Sequence, residues 1–244
     1  KDLQTGAIEV ASLNAAGQLT GVGIVAPSGQ AISDDGRYVV YASNAGNIVP
    51  GVGSGTIQVY VRDLATDTTT LASRSAAGAA ANSQSDLGAI SPNGRFVSFR
   101  SFATNLAGGP FASRVYVHDR VTLATSSVPL PVLNAVTATG CRENDVADNG
   151  VVVLTCFFGS GLFDQVYLHI PGAAGTPFLI SSDINDVAGN QVSGTRVAID
   201  ASGLSMIFDS LASNLVGNDF NGVSDSFILI DEGILDGIFA DSFE

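Results

Sequence analysis

The loop 218–225 offers the clearest arrangement of potential ligand atoms in the chain. Asp219, Asn221 and Asp225 place side-chain oxygens at alternating and turn-spaced positions around a glycine, and a hard cation such as Ca²⁺ prefers oxygen ligands. The same spacing also suits a turn capped by Asp and Asn side chains. The equivalent loops contain no acid: 51–57 and 108–113. The sequence therefore predicts either a single Ca²⁺ site or a capped turn at 218–225.

The two histidines, His118 and His169, stand at equivalent positions in neighbouring repeats, where the first repeat has Arg62. Neither has an obvious serine or cysteine nucleophile near it within its repeat. General acid–base catalysis is one use for such residues, and a polar end to a strand is the other. We favour the strand end and assign no catalytic residue.

Arg37 and Arg95 each follow a turn glycine directly. They can pair with neighbouring acids such as Asp34 or Asp86, or they can hold an anionic ligand at the mouth of a channel. The equivalent positions of the other repeats are apolar. Arginines that bound a ligand around a channel would be expected in every repeat, so we favour structural pairing.

Composition and motifs exclude several classes of function. The formal net charge is −13, from 23 acids and 10 bases, so the phosphate backbone of a nucleic acid would be repelled. The one lysine is Lys1, and no P-loop, G-x-S-x-G or H-E-x-x-H motif occurs. No apolar run approaches the roughly 18 residues of a membrane span. We expect neither a nucleic-acid partner nor a membrane span.

The two cysteines indicate the cellular compartment in which the protein resides. Cys141 and Cys156 flank the turn 147–150, and a hairpin folded about that turn brings them within about one residue of facing each other. Neither lies in a C-x-x-C metal motif. A disulfide, typical of an oxidising compartment, is favoured over two buried thiols. The sequence therefore indicates a secreted or periplasmic protein.

A four-residue turn that ends in glycine recurs along the chain. Its copies are 33–36, 91–94, 147–150 and 200–203. Glycine readily adopts the positive φ that such hairpin turns need at their last position. With 28 glycines, 45% hydrophobic residues and 14% charged residues in a chain of 244, the composition also favours many short strands over helices.

Apolar segments follow each turn in a fixed order. The second strands are predicted at 38–41, 96–99, 151–154 and 206–208, the third strands at 59–63, 115–119, 166–170 and 227–231, and the outer strands at 69–73, 125–128 and 178–181. With the strand before the turn, a repeat has four antiparallel strands, which is the anatomy of a propeller blade. The sequence therefore predicts an all-β fold, a four-bladed β-propeller.

The repeat resembles the PD40, or WD40-like, repeat of TolB-type propellers. The resemblance is carried by AISDDGRYVVYAS at 31–43, NIVPG at 47–51 and VYVRDL at 59–64. It extends over nearly all of the chain and is weaker in the third repeat, where the connecting loop is shorter and the arginine after the turn is missing. It implies an exported β-propeller of the bacterial type.

The two ends of the repeat region are complementary. Residues 1–6 match 62–67, so the chain opens at the end of a third strand, and 8–12 then supplies an outer strand. The last repeat stops at Asp231, the same structural point. We therefore predict one domain over 1–232, in which residues 1–13 complete the last blade and close the ring. The alternative is a fragment cut from a larger propeller.

Residues 233–244 form a tail outside the repeat. They resemble the short I-F-x-D-x-F-E endings of some exported bacterial proteins, which would make the tail a sorting or docking element. An extension that covers apolar surface on the ring fits equally well.

No catalytic constellation accompanies this scaffold, and a fold does not by itself name a function. We therefore expect a binding or structural module for a protein or glycan partner. A hydrolase or lyase whose carboxylates gather at the channel from separate blades is one alternative. A stable piece of a larger surface protein is another.

Overall fold

The structure is a computed structural model that describes residues 6, 8, 10–14, 17–19, 24–25, 27, 29–107, 113–159, 161–173, 175–219 and 221–230. These residues form β-strands and turns, and none of them lies in an α-helix. No helix in this part of the chain is long and apolar enough to cross a membrane. The prediction of an all-β fold is confirmed.

Four antiparallel sheets follow one another along the chain, and within each sheet the strands pair in chain order. The first consists of β1 (Ile24–Val25), β2 (Tyr38–Ser43), β3 (Gln58–Asp63) and β4 (Thr68–Leu71), and the second of β5 (Ser85–Ile90), β6 (Phe96–Ser101), β7 (Arg114–Asp119) and β8 (Thr125–Ser127). A small hairpin, β9 (Val132–Leu133) and β10 (Val136–Thr137), precedes the third sheet. The third sheet is β11 (Gly140–Val146), β12 (Val152–Phe157), β13 (Gln165–His169) and β14 (Phe178–Leu179), and the fourth is β15 (Ser193–Ile199), β16 (Ser205–Ser210) and β17 (Asp225–Ile230).

The four predicted glycine turns are present. In each, the N–H of the glycine donates to the carbonyl three residues earlier, at distances of 2.8, 2.8, 3.0 and 3.2 Å for Gly36, Gly94, Gly150 and Gly203. All four glycines have positive φ, between 70° and 83°. A side chain at these positions would strain the backbone, so the recurring glycine fixes the turn between the first two strands of each sheet.

Neighbouring turns are joined by hydrogen bonds. The N–H of Asp34 donates to the carbonyl of Pro92 at 2.8 Å, and the N–H of Asp148 donates to that of Ala201 at 3.0 Å. The second and third turns are joined by the N–H of Asn93, which donates to the carboxylate of Asp148 at 2.7 Å. The four turns therefore lie side by side at one end of the sheets.

The sheets pack against each other through their apolar faces. Between the first two sheets, Val40 and Val59 belong to one buried cluster with Phe99 and Tyr116. Gly88 of β5 leaves the room for this contact, since a Cβ atom there would lie 2.9 Å from a methyl of Val59. Further clusters join the second sheet to the third and the third to the fourth, around Val117 with Leu154 and around Val153 with Phe208.

The predicted disulfide is formed. Cys141 of β11 stands opposite Cys156 of β12 in the sheet register, and their sulfur atoms are bonded. The bridge closes a loop of 15 residues, which stabilises the fold by about 3 kcal/mol through constraint of the unfolded chain.

Closure of the ring by the N-terminal segment is not confirmed. The described residues of this segment form one isolated bridge, Leu13 to Leu19, and Ile8 is 75% exposed. Among the described residues, no strand pairs with the second edge of β17, so the fourth sheet has three strands where the others have four. The tail 233–244 and Asp231 lie outside the described residues.

Candidate binding cleft

A buried carboxylate, Asp145 of β11, joins three of the four sheets. It accepts the N–H of Gln30 at 3.2 Å, that of Ile199 at 3.2 Å and that of Val146 at 3.1 Å. The residue is 4% exposed, and burial raises the pKa of its carboxyl despite these three bonds. Asp145 is thus a structural anchor where the first, third and fourth sheets meet.

A cleft of about 840 Å³ opens beside Asp145. It is lined by the segment that precedes the first turn, by β11, and by β15, β16 and one residue of β17. The lining residues are Pro27, Gly29, Gln30, Glu143, Asp145, Thr195, Arg196, Val197, Ala198, Ile199, Ile207, Phe208, Asp209 and Ser226. Main chain from three sheets contributes to the cleft, so the sequence could not place these groups together without the fold.

The charged groups of the cleft are predominantly acidic. Glu143, Asp145 and Asp209 line it together with one cation, Arg196. The carboxylate of Asp209 accepts the hydroxyl of Thr195 and, at 2.8 Å, the N–H of Arg196. No ion pair links the exposed guanidinium of Arg196 to another described residue. The cleft therefore offers carboxylate acceptors and one cationic donor to a ligand.

The apolar lining of the cleft continues into an exposed apolar surface on the fourth sheet. Ile207 is 46% exposed, and Ile228, its cross-strand neighbour on β17, is 67% exposed. The equivalent pair in the first sheet, Val40 and Val61, is covered by the second sheet and almost fully buried. The fourth sheet thus presents a face that the other sheets use for packing.

In the loop 218–225, the structure shows turn-capping contacts. The side-chain N–H of Asn221 donates to the carboxylate of Asp225, and the N–H of Val223 donates to the side-chain oxygen of Asn221, both at 2.9 Å. Asp219 lines the same shallow cavity of about 470 Å³. Among the described residues, no three His, Cys, Asp or Glu side chains lie close enough together to hold a metal ion. The Ca²⁺ site stays a prediction, because amide and backbone oxygens also bind this ion.

His118 is buried in the second sheet and is linked through Thr125 to the backbone that follows the first sheet. Its Nδ1 lies 3.0 Å from the hydroxyl oxygen of Thr125, which itself donates to the carbonyl of Arg74 at 2.7 Å. Burial and the positive charge of Arg74 lower the pKa of His118 to about 4. Burial also lowers the pKa of His169. Both imidazoles are therefore neutral near pH 7.

The arginines that follow the turns are paired, but with partners that differ from the two predicted. Arg37 bonds Asp63 through two nitrogens, at 2.9 and 2.8 Å, and Arg95 bonds Asp119 in the same way, at 3.1 and 2.8 Å. The reason is the strand register, which sets residue 38 opposite Asp63 and residue 96 opposite Asp119.

The two predicted partners are engaged elsewhere. Asp86 forms an ion pair with Arg100 at 2.7 Å, and Asp34 accepts the side-chain N–H of Gln30 at 3.0 Å. The expected structural pairing of Arg37 and Arg95 is therefore confirmed, and the two acids named as example partners, Asp34 and Asp86, are not the ones that they bond.

The residues of the cleft were missed at the sequence level. Glu143 and Asp145 stand in a strand that precedes a glycine turn, where the corresponding segment 87–90 of the second repeat is apolar. That departure from the repeat is the one signal the sequence holds. Arg196 carries the same signal, since it stands at the repeat position of Glu143, seven residues before the turn glycine. Asp209 carries none, since exposed charges are common on strands.

Comparison with known proteins gives no family assignment. No family model and no curated protein matches the chain. Among solved structures, it is similar to the hydrazine synthase of Kuenenia stuttgartiensis, with 14% identity and a TM-score of 0.37 over 84% of this chain and 49% of that one. It is also similar to a putative TolB from Agrobacterium tumefaciens, with 14% identity and a TM-score of 0.30 over 86% of this chain and 82% of that one. The chain spans about half the length of the hydrazine synthase chain, and likenesses at these TM-scores carry no functional assignment.

Proposed function

We propose that this chain is an exported binding module of the propeller type, with four sheets acting as blades, and that its cleft holds a protein or glycan partner. The observation that carries the proposal is the cleft of about 840 Å³, in which polar groups and an apolar lining lie together. Ligand sites commonly combine these two features. The disulfide supports export, since such bonds persist in oxidising compartments.

The engagement of two of the three carboxylates in the cleft, Asp145 and Asp209, supports binding over catalysis. A general acid or base must be free to exchange a proton with its substrate. Asp145 accepts three backbone N–H groups, and both oxygens of Asp209 accept hydrogen bonds from β15. These bonds fix the position of the two carboxylates, which suits recognition of hydroxyl or amino groups.

A substitution that fills the cleft tests this function. Ala198 is exposed and lines the cleft, so Ala198→Arg inserts a long side chain without removing a contact. The matched control is Ala65→Arg, which makes the same change at an exposed turn of the first sheet. Wild-type protein and both variants are screened on arrays of envelope-protein peptides and of glycans, followed by calorimetry on the hits.

We expect binding that survives in Ala65→Arg and falls at least tenfold in Ala198→Arg. Silence of the wild-type protein on both arrays would count against a binding module. A ligand that both variants retain would place the binding site outside the cleft.

We further propose that the loop 218–225 binds Ca²⁺ through Asp219, Asn221 and Asp225. Calorimetric titration with calcium chloride tests it, with Asp219→Asn as the variant and Asp186→Asn, at an exposed turn, as the control. Binding should be lost in Asp219→Asn and retained in the control. Absence of heat from wild-type protein would leave a capped turn as the whole role of this loop.

A further inference from the structure

The chain contains three Asn-Gly pairs, at 93–94, 149–150 and 221–222. An asparagine before glycine is chemically labile, because glycine has no side chain to hinder the attack of its backbone nitrogen on the carboxamide carbon of the asparagine. Two of the pairs lie in the glycine turns, and the third lies in the loop 218–225. The fold therefore places one local sequence in two different environments.

The two pairs in the turns are held against this reaction. Gly94 and Gly150 are buried, and their N–H groups donate to carbonyls three residues earlier, at 2.8 and 3.0 Å. The N–H of Asn93 also donates to a carboxylate of the next turn at 2.7 Å, and the side-chain N–H of Asn149 donates to a carbonyl of the turn after it at 2.9 Å. Before it can react, each glycine must break its turn bond while its neighbours hold the turn in place.

The pair at 221–222 has contacts that favour the reaction. Asn221 and Gly222 are both exposed, so hydroxide reaches the N–H of the glycine. The carboxamide oxygen of Asn221 accepts the N–H of Val223 at 2.9 Å, and this donor stabilises the negative charge that develops on the oxygen when the nitrogen of Gly222 adds to the carbon. The two turn asparagines accept an equivalent N–H. The burial and bonding of the glycine therefore distinguish the three pairs.

We propose that Asn221 is a site of spontaneous deamidation in the folded protein, whereas the fold protects Asn93 and Asn149. The nitrogen of Gly222 gives its proton to hydroxide and forms a bond with Cγ of Asn221. The bond from Cγ to the amide nitrogen breaks, and that nitrogen takes up a proton and leaves as ammonia. Water then adds to either carbonyl of the resulting succinimide ring, and ring opening leaves aspartate or isoaspartate at 221. The net change is the loss of one ammonia and the gain of one water.

The product alters the contacts of the loop. The side-chain N–H of Asn221 donates to the carboxylate of Asp225 at 2.9 Å, and a carboxylate at 221 faces that of Asp225 with like charge. Like charges this close repel each other, so the contact that links the two ends of the turn is lost just before β17. The new carboxylate also adds charge to the oxygen ligands of the Ca²⁺ site proposed above, but the modification itself does not depend on that site.

Peptide mapping by mass spectrometry tests the proposal. The full wild-type chain is incubated at mildly alkaline pH and physiological temperature, and the mass increase of deamidation is followed at each Asn-Gly pair. We expect conversion at Asn221 to be at least about tenfold faster than at Asn93 or Asn149, because only a local opening of the loop is needed. The variant Asn221→Gln should lose the fast signal and keep the two slow ones, since the longer side chain closes a ring far more slowly.

Unfolded protein in guanidinium chloride is the control for sequence. Each pair is Asn-Gly, so the three sites should convert at similar rates once the fold is removed. Folded protein in which Asn221 converts no faster than the two turn asparagines would overturn the proposal. It would also be overturned if Asn221 kept its full lead in guanidinium chloride, because the neighbouring residues rather than the fold would then set the rate.

Discussion

His118 gives a pH dependence of known sign. Its pKa is lowered to about 4 in the folded protein, against about 6.5 in an unfolded chain. The unfolded state therefore binds this proton first. The stabilisation that the neutral, buried His118 gives to the folded state is fully present above pH 6.5 and is lost as the pH falls toward 4. Between pH 7.5 and 5, this one group should lower the free energy of unfolding by about 2 kcal/mol.

Urea unfolding of wild-type protein and of His118→Gln at these two pH values measures the effect. The variant should lose about 2 kcal/mol less than the wild-type protein does over this interval. The neighbouring ion pairs interfere little, because hydrogen bonds from Arg37 and Arg95 hold the pKa values of Asp63 and Asp119 far below pH 5. Equal losses in the two proteins would show that His118 titrates normally when folded.

At the level of strands, the sequence predicted what depends on local pattern. The turn glycines and the apolar segments around Tyr38, Phe96 and Val152 correctly predicted strands that the structure contains. Turn formation and the alternation of apolar and polar residues both depend on only a few neighbouring residues. The partners of Arg37 and Arg95 depend on the register between two paired strands, and the sequence of one strand does not determine that register. The position of Asp145 depends on how three sheets pack together, and local sequence patterns contain even less information about such long-range packing.

Substitution of Gly88 on β5 tests how closely the first two sheets pack. A Cβ atom there would lie 2.9 Å from a methyl of Val59 and 3.0 Å from one of Val40. Gly88→Ala should therefore cost about 1–3 kcal/mol by forcing the first two sheets apart. Gly53→Ala is the control, because nothing lies within 4 Å of a Cβ atom at that position. Thermal unfolding of both variants checks the difference, and a Gly88→Ala variant as stable as the control would mean looser packing.

Across the molecule, Asp145 holds together sheets that are far apart in sequence. Its carboxylate receives N–H groups of Gln30, 115 residues away, and of Ile199, 54 residues away. Asp145→Ala leaves these buried donors without their acceptor, which should cost about 3 kcal/mol. Asp148→Ala is the matched control. Its carboxylate accepts one exposed N–H, from Asn93, so the cost should stay below about 1 kcal/mol.

Amide hydrogen exchange separates a local loss from a global one. If Asp145 anchors the sheets at the cleft, then Asp145→Ala should speed exchange at Gln30 and Ile199 more than at Cys141 or Val152, which lie within the third sheet. The cleft would then loosen together with β11, which lines it, and binding to the partner would weaken as well. Uniform acceleration over all four sheets would instead mean that Asp145 contributes to overall stability without shaping the cleft, and the site would then depend on its apolar lining.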